Sequence, residues 1–120
     1  MILGFNKRFP QPILDKIKKH TIREDKHNRW KAEGIIHMAT GVRTKNYNCF
    51  YKCKCTGTQI IEIANTPGYP RAVWIDNRLI DTDEITKLAH NDGFKSIDDF
   101  FEWFNKDFQG KIIHWTDFRY

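Results

Sequence analysis

From Trp30 to Ile75 the chain is cut into short β-rich runs by turn signals. The runs are Ile35 to Thr40, Asn48 to Cys55, Gln59 to Ile63 and Ala72 to Ile75. Gly34, Gly41, Gly57 and the Pro67-Gly68 pair separate them, and Asp76-Asn77 reads as a tight turn before Arg78-Leu79-Ile80. Strands this short and closely spaced pair with near neighbours, so this segment commits the chain to a mostly antiparallel sheet.

The flanks add helices. Ile2 to Phe5 reads as a strand. Pro10 and Pro12 suit the first turn of a helix over roughly 11–19, in which Ile13, Leu14 and Ile17 form the buried stripe and Lys16, Lys18 and Lys19 crowd the last turn. Thr21-Ile22-Arg23 reads as a strand. Thr82, Asp83 and Glu84 open a second helix with Ile85, Leu88 and Ala89 inward and Gly93 at its stop. Ser96 and Asp99 approximate a capping box for a third, where Ile97, Phe100, Phe101 and Phe104 recur at helical spacing. Lys111 to Trp115 closes the chain as a strand. The expected fold is α+β: a small, mostly antiparallel sheet curled into a barrel and flanked by about three helices. The 120 residues suit one domain, 1–120.

Charge is polarised along the chain. Residues 1–55 hold 13 Lys/Arg against 4 Asp/Glu, whereas residues 56–120 hold 7 against 11. A basic half suits a phosphate-bearing ligand, and it equally suits a solvated face. No stretch approaches the ~18 apolar residues of a membrane span. The N-terminal segment puts its apolar residues before its charge, the reverse of a signal peptide. Cys49, Cys53 and Cys55 cannot all pair within one chain, which points to a reducing cytoplasm.

The segment from Arg8-Phe9 through Ile13-Leu14 to Lys18-Lys19-His20-Thr21-Ile22-Arg23 resembles the opening motif of the ASCH domain, within the PUA-like β-barrel superfamily. His90-Asn91-Asp92-Gly93-Phe94, Ser96, Asp99-Phe100-Phe101 and the closing strand with Trp115 and Phe118 resemble that family's later segment. The resemblance implies a barrel with a basic cleft and a role with RNA or a modified nucleoside. One branch of small ASCH proteins hydrolyses the amide of N4-acetylcytidine with a Lys, a Thr and a Glu. Carried over by position, these fall on Lys18, Thr21 and Asp92. Lys16 and Lys19 stand where the family often has Gly and Thr, and Gly34-Ile35 stands for its Gly-Asp.

In such a site Thr21 is the nucleophile or orients water. Lys18 is the base if its pKa falls, with Lys16, Lys19 and Arg23 as the nearby like charges that would lower it, and Asp92 protonates the leaving amine. Alternatively, Lys18 belongs to the helix end and Thr21 to a strand. Arg23, Arg29 and Lys31, with Lys19 nearby, are candidates to grip a phosphate, although Glu24 and Asp25 offer Arg23 a structural ion pair. Trp30, between Arg29 and Lys31, is the candidate to stack a base, with Trp103 and Trp115 assigned to packing. Cys49-x3-Cys53-x-Cys55 lacks the second ligand pair of a zinc site, and His20, His27, His90 and His114 show no ligand spacing, so neither metal nor cofactor is expected. Three functions follow: an RNA- or nucleoside-binding domain, an amidohydrolase acting on an acylated cytidine, or a protein-interaction module using the acidic C-terminal helices.

Overall fold

Eight strands and three helices make up the structure, a computed structural model that describes residues 1–120 throughout. Five strands form an antiparallel sheet in the order β2 (His20–Arg23), β8 (Phe108–His114), β5 (Gly57–Ala64), β6 (Ala72–Ile75) and β7 (Arg78–Leu79). A second sheet holds β1 (Ile2–Gly4), β3 (Ile35–Thr40) and β4 (Asn48–Lys54). Its β1–β3 pair is parallel, and the β3–β4 register shifts at Met38/Ala39, where Phe50 is the extra residue.

The α+β class, the small β-rich architecture and the three helices are as expected from the sequence. The two sheets are not closed into one barrel by a common ladder. They are joined through Cys55 and Thr56, whose amides donate to Gly34 O and His114 O, and by Arg23, which reaches from β2 to Gly4 O on β1. At the β6–β7 hairpin, Asp76 and Asn77 both take positive φ, 49° and 66°, as a two-residue turn matching strand twist requires.

The helices carry their own stop and start signals. Asp81 caps α2 (Thr82–Asn91) and exchanges bonds with Glu84, one residue earlier than the Thr82 start read from the sequence. Ser96 caps α3 (Ile97–Trp103), but Asp99 turns its carboxylate to Lys95 N and Arg8 instead of completing a box. The first helix, α1 (Pro10–Leu14), is much shorter than the expected span of 11–19. It ends where Lys16 enters the left-handed region at φ 62°, so Lys16, Lys18 and Lys19 lie beyond its last turn. Leu14 and Ile17, read as part of the buried stripe, are 47% and 56% exposed, and only Ile13 of the three is buried. Phe5, Phe9, Ile13, Phe94, Phe100 and Phe101 pack with the inner strand faces into one core, beside which the candidate site lies.

Candidate functional site

Two helix ends meet to build the site. At the end of α1, Lys16 N donates to Ile13 O (3.1 Å) and Ile17 N to Pro12 O (2.9 Å). At the end of α2, Gly93 N donates to His90 O (3.0 Å) and Phe94 N to Ala89 O (2.9 Å). Both are Schellman turns, with Lys16 and Gly93 at the left-handed position. Lys19 N donates to Asn91 O at 2.7 Å and ties the two turns together. The stem of Lys18 then crosses Gly93 so closely that a Cβ there would sit 3.3 Å from Lys18 Cδ. Gly93 is thus needed for its φ of 90° and for its missing side chain.

Lys18 is 2% exposed and donates to the main-chain oxygen of Asp92 (2.6 Å) and to its Oδ1 (2.9 Å), with Phe9 facing the ammonium at 4.5 Å. Burial pushes the Lys18 pKa down; the Asp92 carboxylate pulls it part of the way back, and Arg23 and Arg8 lower it further. The expectation that Lys16 and Lys19 depress it is not met: desolvation is the leading cause, and the cations that lower it are Arg23, as expected, and Arg8.

Asp92 Oδ1 also accepts from His20 Nδ1 at 3.1 Å. Because a carboxylate only accepts, the His20 proton sits on Nδ1, and Nε2 accepts from the Tyr120 hydroxyl at 2.5 Å. Asn91 Nδ2 donates to that hydroxyl in turn, at 3.1 Å. A buried chain therefore runs Lys18, Asp92, His20, Tyr120, Asn91. Burial lowers the His20 pKa and raises that of Tyr120, so both stay neutral around pH 7. Opposite His20 across the β2–β8 ladder stands His114, whose Nε2 donates to Gln59 Oε1 at 3.0 Å. Its Nδ1 is buried without a partner, and burial pushes its pKa down to about 3.

Sequence reasoning missed this network of His20, His114, Tyr120, Asn91 and Gln59. Its members are brought together by strand register and by the docked C-terminal segment, and no spacing announces them. The available signal was the two histidines at the ends of candidate strands.

Lys18, Thr21, Arg23 and Asp92 line one cleft of about 310 Å³, walled by Phe9, Phe94, Trp103, Phe104 and Phe108. Thr21 and Arg23 share a strand face, being two residues apart on β2. Arg23 Nε donates to Thr21 Oγ1 (3.2 Å), which leaves the threonine proton free to donate, and Arg23 Nη2 donates to Gly4 O (2.7 Å). The alternative ion pair of Arg23 with Glu24 or Asp25 does not form. Asp25 instead accepts the amides of Arg29 and Trp30 and the ammonium of Lys111.

The other candidates are dispersed. Lys19 lines a different hollow of about 410 Å³ with Lys16, Tyr51, Trp115 and Phe118. Arg29 and Trp30 line a shallow one of about 290 Å³ together with Glu24 and Asp25, and Trp30 packs half-buried against the core. Lys31 is exposed and lines none of these hollows. Trp115, assigned to packing, meets Phe5 edge-on at 6.5 Å, while Trp103 forms both core contacts and cleft wall. The largest hollow, about 770 Å³, lies over β5, β6 and β8, and Glu24, Asp25, Glu62 and Asp107 make it unsuited to an anion.

The three cysteines are free thiols, and burial pushes that of Cys53 up to about 11, so it is a poor thiolate. No group of three or more His, Cys, Asp or Glu side chains is placed to hold a metal ion, and no helix is long and apolar enough to cross a membrane.

Chemically, the cleft combines a base whose charged form burial disfavours, a hydroxyl with a free proton, a fixed guanidinium and aromatic walls. No family model, no curated protein and no solved structure matches the chain.

Proposed function

We propose that this chain is an ASCH-like domain that binds a modified nucleoside, free or within RNA, in the cleft lined by Lys18, Thr21, Arg23 and Asp92. The single observation that carries the reading is the convergence of these four residues on one cleft of about 310 Å³ with aromatic walls. That volume is at the small end of ligand pockets and takes one nucleoside rather than a length of strand. The aromatic walls offer faces for a base, and Arg23 offers fixed donors for a sugar or phosphate oxygen. In this reading the two open sheets are a loosened form of the PUA-like barrel. The three free thiols favour a reducing cytoplasm.

A second reading, amide hydrolysis of an N4-acylated cytidine, is favoured by the lowered pKa of Lys18 and its bond to Asp92. Lys18, in its neutral form, takes a proton from a water that Thr21 orients. The water oxygen adds to the acyl carbon, and Arg23 donates to the oxyanion. Collapse breaks the bond between the acyl carbon and the exocyclic nitrogen. Lys18, rather than Asp92, whose Oδ1 already accepts from Lys18 and His20, gives its proton to the departing amine, so that water and the amide become a carboxylic acid and cytidine. A protein-interaction module needs a flat surface around Lys18, and this geometry lends it no support.

The test is turnover of N4-acetylcytidine by the purified protein and by Thr21→Val, which keeps the shape of a buried strand residue and removes the hydroxyl. Release of acetate by the parent chain, lost in the variant, is the expected result for the hydrolase. Saturable nucleoside binding with no acetate release leaves the binder. Absence of both would overturn the proposal.

A further inference from the structure

Lys18 lines two hollows. The nucleoside cleft and the hollow of about 410 Å³ beside the turn after α1 share Lys18 and no other residue. The second hollow has a distinctive lining. Its ionisable side chains other than tyrosine are all lysines, Lys16, Lys18 and Lys19, and no carboxylate is among its walls. Lys18 is engaged by Asp92, whereas Lys16 and Lys19 enter no ion pair. The apolar walls include Tyr51, Trp115 and Phe118. Tyr51 is 43% exposed on β4, although its ring has no structural partner of its own among the aromatic pairs.

Lys16 adds an independent point. It holds a left-handed backbone that glycine would adopt without strain, and in doing so it places a cation at this hollow. Unpaired cations beside one exposed ring, Tyr51, and two half-buried ones, Trp115 and Phe118, select a ligand that is planar and apolar on one side and anionic on the other.

We infer that this second hollow is a nucleotide site, in which the base stacks on Tyr51 and Trp115 and the phosphate lies between Lys16 and Lys19. The same chemistry is offered by a free mononucleotide and by the nucleotide that adjoins the target nucleoside in an RNA strand. The free-nucleotide case stands alone; the strand case rests on the nucleoside reading of the first cleft.

The experiment is a titration of 15N-labelled protein with uridine 5′-monophosphate, uridine, inorganic phosphate and tetrauridylate, followed by NMR. The expected result is saturable shifts of the Trp115 indole and the Lys19 and Thr116 amides with the monophosphate. Uridine and phosphate alone bind at least about tenfold more weakly, as do Tyr51→Ala and the Lys16→Gly/Lys19→Ala double variant. Tetrauridylate binding about tenfold tighter than the monophosphate, with shifts reaching Thr21 as well, identifies the strand as the source; equal binding confined to the second hollow identifies the free nucleotide. No saturable shift at about 10 mM monophosphate overturns the inference. So does binding that Arg23→Ala abolishes and Tyr51→Ala does not, because that places the nucleotide in the first cleft. Acetate release is not read here, so the hydrolase reading and this one fail separately.

Discussion

Lys18 and Asp92 lie 74 positions apart in the chain, yet the lysine ammonium donates to both the main-chain oxygen and the carboxylate of the same aspartate. The contact joins the end of α1 to the end of α2 and leaves both side chains almost wholly out of water. A buried pair of this kind stabilises weakly as a whole, because desolvation offsets attraction, but losing one partner strands the other.

Lys18→Met is therefore expected to cost about 3–5 kcal/mol, with Asp92 left buried against His20 alone. Lys18, read from the sequence as a base or as part of the helix end, is thus also a buried structural residue. Urea unfolding of Lys18→Met, Asp92→Asn and the double variant measures it. The double variant should be more stable than the sum of the two losses implies. Strict additivity would mean that the pair is not coupled.

Gly93 carries the same junction. Its φ is 90°, and a Cβ would meet Lys18 Cδ at 3.3 Å, Lys18 Cβ at 3.4 Å and Phe9 Cδ1 at 3.4 Å. Gly93→Ala should lose about 1–3 kcal/mol, and it should displace the Lys18 stem. A thermal melt reads the first effect and ligand affinity in the cleft the second. A variant with parent-like values in both would show that the turn tolerates a side chain.

How far the sequence reaches is seen at these same residues. The strands are readable because their turn signals are strong, and α2 and α3 because apolar periodicity agrees with their caps. The helix α1 is overextended in a sequence reading because Ile17 continues the apolar stripe of Ile13 and Leu14, and no glycine marks the stop. The chain instead reverses at Lys16, a residue type with no preference for that conformation. The positions of Lys18, Thr21 and Asp92 are suggested by the motif, but their burial is not. It depends on Lys19 N meeting Asn91 O, a long-range bond that leaves no local trace. His20 and His114 become neighbours only through the β2–β8 register.

Lys16 yields a prediction in which stability and binding move in opposite directions. A left-handed backbone costs an L-residue roughly 1–2 kcal/mol, partly offset in glycine by the greater freedom of its unfolded chain. Lys16→Gly should stabilise the fold by about 0.5–1 kcal/mol in urea unfolding. It should also weaken any anion held in the second hollow. Lys16→Ala keeps the strain and loses the charge, so it should show the binding defect without the gain. A destabilised glycine variant would mean that the Lys16 stem contributes packing that outweighs the strain.

The two buried histidines set the acid limit. His114 is held neutral by burial, with His20 and Arg119 as lesser contributors, so its pKa drops from 6.5 to about 3, and burial also lowers that of His20. Below about pH 6.5 the unfolded chain takes up protons that the folded chain excludes, so stability falls as pH falls, by about 1.4 kcal/mol per pH unit for each excluded proton. The His114 contribution ends near pH 3, where the folded protein protonates too. Carboxylates add loss of the same sign only lower down. Asp99 is held below the usual range by the Lys95 amide and Arg8; Asp25 is raised by burial but pulled further down by the Arg29 and Trp30 amides. Both therefore act only below about pH 4. Unfolding free energies measured between pH 6.5 and 4.5 isolate the histidines. In that window His114→Phe should flatten the slope by about one proton, whatever it does to absolute stability through the lost bond to Gln59. An unchanged slope would mean that His114 titrates alike in the folded and unfolded chains, through a water or an opening that reaches its Nδ1.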